Sequence, residues 1–230
     1  MLIGPQNSTL HVNYVRSRIR QAAIAAGRDP ATITLVAVTK AQTAETIRLA
    51  ATAGVTDFGE NYLQEASAKM DQLADLALRW HFIGAIQSNK TLAIAERFDW
   101  VHSIDRLSVA RRLSAQRPFH APPLNLCLQV ELVPEPTKGG VAPGEVPALA
   151  AATAELPRVR LRGLMCVPPP QTDAMPARAV FARLRLLLEE LNASGHKLDT
   201  LSMGMSGDFE SAIAEGATLV RIGTALFGSR

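Results

Sequence analysis

Eight short apolar runs, the first seven each followed by a stretch with helical periodicity, dominate this chain of 230 residues. The runs read as strands at 34–40, 55–59, 80–84, 100–104, 124–132, 160–167, 198–203 and 217–222. Helical spacing appears at 9–26, 45–53, 62–76, 90–98, 146–156, 176–193 and 208–214, and Leu107, Ala110 and Leu113 mark another helix that ends before Pro118. Strand–helix alternation implies parallel pairing through right-handed crossovers, and eight such units close into a (β/α)8 barrel. The first run, Leu35 to Thr39, is continuously apolar or β-branched, the pattern of a strand covered on both faces. An open doubly wound sheet is the runner-up, but no Gly-x-Gly-x-x-Gly joins the first strand to its helix. We therefore expect one domain over 1–230, with the helix at 9–26 as an addition covering the bottom or side of the barrel.

Composition narrows what such a barrel can do. The formal charge is only +3, and the basic residues are scattered, so nucleic acid is not expected as a partner. No run of 18 apolar residues occurs, and the first residues lack the basic and apolar regions of a signal peptide, so no membrane association and a cytoplasmic location are expected. Cys127 and Cys166 each lie in an apolar run without metal-ligand spacing. They read as reduced, buried and structural, which fits a reducing compartment.

In a parallel barrel the carboxyl ends of all strands meet at one face, where the chemistry of this fold sits. Reading only those ends collects Lys40, Glu60-Asn61, Gly84, Ser103, Glu131, Met165, 202–206 and 221–224. A lysine ending a buried strand tends to lose its charge by desolvation, which frees the amine to form a Schiff base. Loops after strands seven and eight commonly bind phosphate in such barrels. Here they carry glycines together with Ser206 and Thr224, at the starts of helices whose N–H groups favour anions. Each residue also has a purely structural reading. Lys40 can reach solvent, Ser206 and Asn61 can cap helices, Gly223 can relieve a turn, His81 can be a satisfied core histidine, and Arg221 can pair with Glu60 or Asp208. As a set, one lysine facing an anion nest points to a phosphorylated aldehyde or ketone held as an imine.

Several stretches together resemble a known family. They are Leu35-Val-Ala-Val-Thr-Lys40, Phe58-Gly-Glu-Asn-Tyr62, Trp80-His-Phe-Ile-Gly84 with Gln87-Ser-Asn-Lys90, Val101-His-Ser-Ile-Asp105, Leu161-Arg-Gly-Leu-Met165, Leu201-Ser-Met-Gly-Met-Ser206 and Val220-Arg-Ile-Gly-Thr-Ala-Leu-Phe-Gly228. In order and content they resemble the pyridoxal phosphate homeostasis proteins, the YggS/PROSC family, which share the barrel of the alanine racemase N-terminal domain. The resemblance implies pyridoxal 5′-phosphate as cofactor, carried by Lys40 as a Schiff base, with Ser206, Gly223 and Thr224 at its phosphate and Asn61 beside its ring. It also implies Arg221 near the pyridine nitrogen. A cation there disfavours ring protonation and weakens the ring as an electron sink.

The function so implied is a carrier, expected as a monomer, that holds the reactive aldehyde and releases it to pyridoxal phosphate-dependent apoenzymes, with no catalytic residues assigned. A racemase is the alternative. Alanine racemases use a second domain that supplies a tyrosine base, whereas this chain stops soon after strand eight and holds only Tyr14 and Tyr62. A cofactor-free class I aldolase acting through Lys40 is a third reading. Two positions depart from the family pattern. Gly207 stands where an Asp is usual, which we expect to loosen the following helix or alter phosphate affinity. The loop after strand five reads Thr137-Lys138-Gly139-Gly140 in place of Ser-Lys-x-Gly.

Overall fold

The structure is a computed structural model that describes residues 5–134, 139–168 and 177–228. Eight strands form one closed sheet: β1 (Thr34–Val38), β2 (Asp57–Glu60), β3 (Arg79–Phe82), β4 (Trp100–Ile104), β5 (Leu124–Gln129), β6 (Val159–Met165), β7 (Thr200–Ser202) and β8 (Leu219–Ile222). All neighbours are parallel, and β8 returns to β1 with Leu219 opposite Thr34 and Ile222 opposite Ala37. The barrel expected from the alternation is thus the fold, and no strand edge is left open.

The helices are α1 (Pro5–Ala25), α2 (Ala44–Thr52), α3 (Leu63–Gln72), α4 (Thr91–Arg97), α5 (Leu107–Gln116), α6 (Val146–Ala154), α7 (Ala177–Ala193), α8 (Phe209–Ala214) and α9 (Thr224–Phe227). Helix α1 covers the side of the barrel. It packs against α2, α8 and α9, filling the helical ring where α8 and α9 are only six and four residues long. Its arginines fasten it. Arg16 donates to the carbonyls of Ala53 and Gly54 at 2.8 and 2.7 Å, satisfying the end of α2, and Arg18 pairs with Glu210 of α8. Gly54 sits at φ +85°, so the turn that presents those carbonyls favours a residue without Cβ.

Several strands are shorter than their apolar runs, for local reasons. Val55 donates to the carbonyl of Ala50 and belongs to the close of α2, so β2 starts two residues later. Leu198 is held on both its N–H and its carbonyl by the Asn192 side chain, which keeps it out of the β7 ladder. The run at 124–132 outlasts β5, and Val130 instead makes a single bridge to Val141. Asp105 does not cap α5; Arg106 occupies that position without a side-chain bond, and Asp105 pairs with Arg106 at 2.7 Å.

The apolar core lies mainly between strands and helices, where Phe58, Ile104, Leu113, Leu126, Leu128 and Phe181 are fully buried. Each such side chain stabilises the fold by about 1.5–3 kcal/mol. Inside the barrel the filling differs from the branched aliphatic layers usual for this architecture. Asp57, His81, His102, Ser202 and Arg221 are all buried and bonded to one another. Cys127 and Cys166 are buried free thiols, each pushed up to about 12 by burial.

Candidate functional site

At the carboxyl ends of the strands lies a cavity of about 540 Å³. Lys40, Asn61, Ser206, Arg221, Gly223 and Thr224 all line it, with Val38, Ile83, Ser103 and Gln129 among the remaining walls. Of the strand-end residues, these six meet at one place together with Gly84 and Ser103, whereas Glu60, Glu131 and Met165 do not line the cavity.

Lys40 follows the buried Thr39 and is itself exposed. Strand β1 does not bury it as a covered strand end would, so the protein alone does not strip solvent from this amine. Among the described residues its side chain has no hydrogen-bond or ion-pair partner. Its backbone is held on both sides. Lys69 of α3 donates from Nζ to the Thr39 carbonyl at 2.6 Å, and the Ala41 N–H donates to Glu65 Oε1 at 2.5 Å. Lys69 also bridges Glu65 at 2.6 Å and Glu60 at 2.7 Å, and Thr39 donates its hydroxyl to the same Glu60 oxygen. Between these grips Ala41 adopts φ +61°, a left-handed conformation that costs a residue with a side chain roughly 1–3 kcal/mol. Burial raises the Glu60 carboxyl above its ordinary range, and the bonds from Lys69 and Thr39 offset this only in part.

Across the cavity lie the two loops expected to hold an anion. Met205 donates its N–H to Asp208 Oδ1 at 2.6 Å, which closes the turn after β7. Ser206 is not the cap of α8; Asp208 holds that position, and Ser206 Oγ accepts the Ala225 N–H at 3.2 Å. Its hydroxyl proton stays available to the cavity. No hydrogen bond among the described residues occupies the N–H of Ser206, Gly207 or Gly223. Because α8 and α9 are so short, these loop donors rather than a helix dipole make the nest. Next to Gly207, Asp208 supplies an acid that fastens the turn.

Arg221 is buried and pairs with neither Glu60 nor Asp208. It donates from Nη1 to Ser202 Oγ at 2.7 Å and from Nη2 to the Cys166 carbonyl at 2.8 Å. Among the described residues no carboxylate is ion-paired with it, and burial pulls its pKa below the ordinary value. An arginine never deprotonates in such a setting, so the cavity wall carries a buried cation without an acidic contact. Behind it Ser202 meets His102 Nδ1 at 2.7 Å, His102 Nε2 meets His81 Nδ1 at 3.0 Å, and His81 Nε2 meets Asp57 Oδ1 at 3.0 Å. Burial lowers the pKa of both histidines, His102 strongly. Burial alone would raise Asp57, but bonds from His81, Arg79 and Thr56 outweigh it and hold the carboxyl well below its usual range.

Asn61 caps no helix. Tyr62 precedes α3 without a side-chain bond, and Asn61 Oδ1 is buried with no protein partner. His81 is a bonded core histidine, as its structural reading had it. Two groups escaped the sequence reading: the Lys69–Glu65 grip on Lys40, and the line from Asp57 to Ser202. A signal for the first existed, since Lys69 interrupts the stripe of Ala66, Met70 and Leu73 on α3. Lys138 lies outside the described residues.

A closed parallel barrel with a strand-end lysine, a buried arginine and an anion nest on one rim defines a class: barrels of the alanine racemase N-terminal-domain type. The family model for that domain matches residues 11–230. The pyridoxal phosphate homeostasis protein of Pseudomonas aeruginosa is 62% identical over 220 residues, covering 96% of this chain and 94% of that protein. The Escherichia coli protein of the same name is 48% identical over 219 residues, covering 94% of each. The chain belongs to the family of pyridoxal phosphate homeostasis proteins. Among solved structures, PipY of Synechococcus elongatus with PLP bound is 40% identical, with a TM-score of 0.81, covering 92% of this chain and 100% of that one. Alanine racemase of Corynebacterium glutamicum, at 17% identity and a TM-score of 0.68, covers 95% of this chain and 62% of that one and shares the fold.

Proposed function

We propose that this protein binds pyridoxal 5′-phosphate through Lys40 and acts as its carrier, releasing it to apoenzymes that use it. The cofactor supplies one reaction when bound: its aldehyde condenses reversibly with an amine, and water leaves. Lys40 supplies that amine, free of partners among the described residues and held by its backbone. Ser206, Gly223 and Thr224 supply phosphate donors, and Asn61 supplies an unpaired side-chain oxygen beside the ring. The observation that carries this reading is Arg221, a buried cation without an acidic contact, facing the same cavity as Lys40. Such a group is satisfied by an electron-rich acceptor such as an unprotonated pyridine nitrogen.

Three features support the fit of this group. Asn61 Oδ1 is buried and orphaned. Among the described residues, the N–H groups of Ser206, Gly207 and Gly223 have no protein acceptor. A Cβ at Gly223 would meet Val38 only at ordinary contact, 3.4 and 3.5 Å, so the protein itself does not demand glycine there. A close approach by a ligand supplies the reason.

Carrying, rather than racemisation, is the activity we assign. Two-base racemisation needs a second proton carrier opposite the lysine. Neither Tyr14 nor Tyr62 lines the cavity, and both are exposed. We further propose a single-domain monomer working in the cytoplasm; among the described residues no helix is long and apolar enough to cross a membrane.

The test is absorption spectroscopy of the purified protein with added pyridoxal phosphate. The expected result is a visible-range band that borohydride abolishes and that Lys40→Ala lacks. Failure of the wild-type protein to bind the cofactor would sink the reading and bring the aldolase forward. Rapid racemisation of an amino acid by the loaded protein would replace carrier with enzyme.

A further inference from the structure

We infer that the buried line Arg221–Ser202–His102–His81–Asp57 is a one-way hydrogen-bond chain that positions Arg221 toward the cofactor, with His102 and Ser202 as positioning residues; this rests on the proposed function. The direction is fixed at both ends. Arg221 has no acceptor, so Ser202 Oγ accepts its Nη1–H at 2.7 Å. Asp57 is ionised and only accepts, so His81 carries its proton on Nε2, 3.0 Å away. Neutral His81 then presents a bare Nδ1, which accepts from His102 Nε2–H at 3.0 Å. Neutral His102 in turn presents a bare Nδ1, which takes the Ser202 hydroxyl proton at 2.7 Å. Reversing any histidine would set two bare acceptors face to face in a dry interior, an arrangement costing more than the bond it replaces.

This polarity has a chemical consequence. The chain begins at a cation that cannot release a proton, so it does not conduct protons out of the site. It instead offers the guanidinium an acceptor polarised by a carboxylate at the far end. Arg221 gains part of the stabilisation of an acidic contact while no acid touches it. A carboxylate in direct contact would compete with a ring nitrogen for the same N–H groups; a serine backed by two histidines takes one bond from Nη1 and the Cys166 carbonyl one from Nη2, which leaves three of the five N–H groups of the fork unclaimed by these contacts. The charged and titratable groups that act on the histidines are Asp57, Asp99 and Arg79 for His81, and His81 with Arg221 for His102.

Two measurements decide the matter. Long-range ¹H–¹⁵N spectra of the histidine rings in the cofactor-free protein should show both buried rings neutral with the proton on Nε2, unchanged from about pH 5.5 to about pH 8. A protonated ring, or an Nδ1–H tautomer at either position, overturns the chain whether or not the cofactor binds. In the loaded protein, Ser202→Ala should weaken pyridoxal phosphate binding roughly tenfold, the worth of one hydrogen bond to a charged group, and shift the borohydride-sensitive band. His102→Asn keeps an acceptor where Nδ1 stood and should stay within about twofold of wild type, while His102→Phe should resemble Ser202→Ala. If the band and affinity of Ser202→Ala match wild type while only its melting temperature falls, the chain is structural and the inference fails. A wild-type protein without any band sinks the functional reading instead, and the tautomers still judge the chain.

Discussion

The two cations of the site are held in opposite ways. Lys40 is gripped through its backbone, by Lys69 on the carbonyl before it and Glu65 on the N–H after it, while its own side chain has no partner among the described residues. Arg221 is gripped through its side chain, by Ser202 and the Cys166 carbonyl, inside the barrel. Under the proposed function, the difference follows from what each would do. An amine that forms and breaks a bond needs a fixed root and a mobile tip. A guanidinium that sets the electrostatics of a ring needs a fixed tip, because its effect falls away with distance and angle.

The largest expected effect comes from breaking the backbone grip. Lys69→Met removes the one cation bonded to Glu60, a fully buried carboxylate, among the described residues, and takes a bond from the Thr39 carbonyl and from Glu65 as well. Breaking a buried pair from one side costs about 3–5 kcal/mol, so chemical denaturation should show a loss of that size. Covalent loading at Lys40 should slow with it. A variant as stable as wild type would show that the grip is incidental.

The side-chain grip should reveal itself in acid. His81 and His102 have folded pKa values below the ordinary one, so the unfolded chain binds protons that the folded chain refuses. Their neutral burial is without penalty above about pH 6.5 and costs stability as pH falls below it, by about 1.4 kcal/mol per pH unit for each ring. Asp57 adds to the loss only further down, below about pH 4, where its unfolded carboxyl takes up protons before the folded one. Melting curves between pH 7 and 5 should therefore slope steeply, and His102→Asn should about halve the slope. A flat profile would mean that the rings accept charge in place.

The smallest effect separates rim from grip. Gly223→Ala should leave stability within about 0.5 kcal/mol, since the new methyl meets only ordinary contacts. Pyridoxal phosphate affinity should nevertheless fall, measured by titration. Equal affinity would remove Gly223 from the nest.

Much of this was legible in the sequence because strand ends carry their own punctuation. Lys40 closes an apolar run, and Gly223-Thr224 follows another, so each announces the rim without help from the rest of the chain. The barrel interior was not legible. Asp57, His81, His102 and Ser202 lie on four strands, and only the register that sets Gly59 opposite His81 and Leu219 opposite Ser202 turns them toward one another. A continuous apolar run does not say which of its residues face inward.

The seam between β8 and β1 joins the two ends of the chain, and α1 crosses it to reach Glu210, a partner 192 residues away. Contacts so distant in sequence are slow to form, because the chain must close a very large loop before they are rewarded. Lys40 and Arg221 stand on either side of this seam, one from each of the strands that meet there. No partly folded chain with the seam open has the site. A ligand that touches both cations binds only the closed barrel, and by mass action it deepens the last step of folding as it is captured.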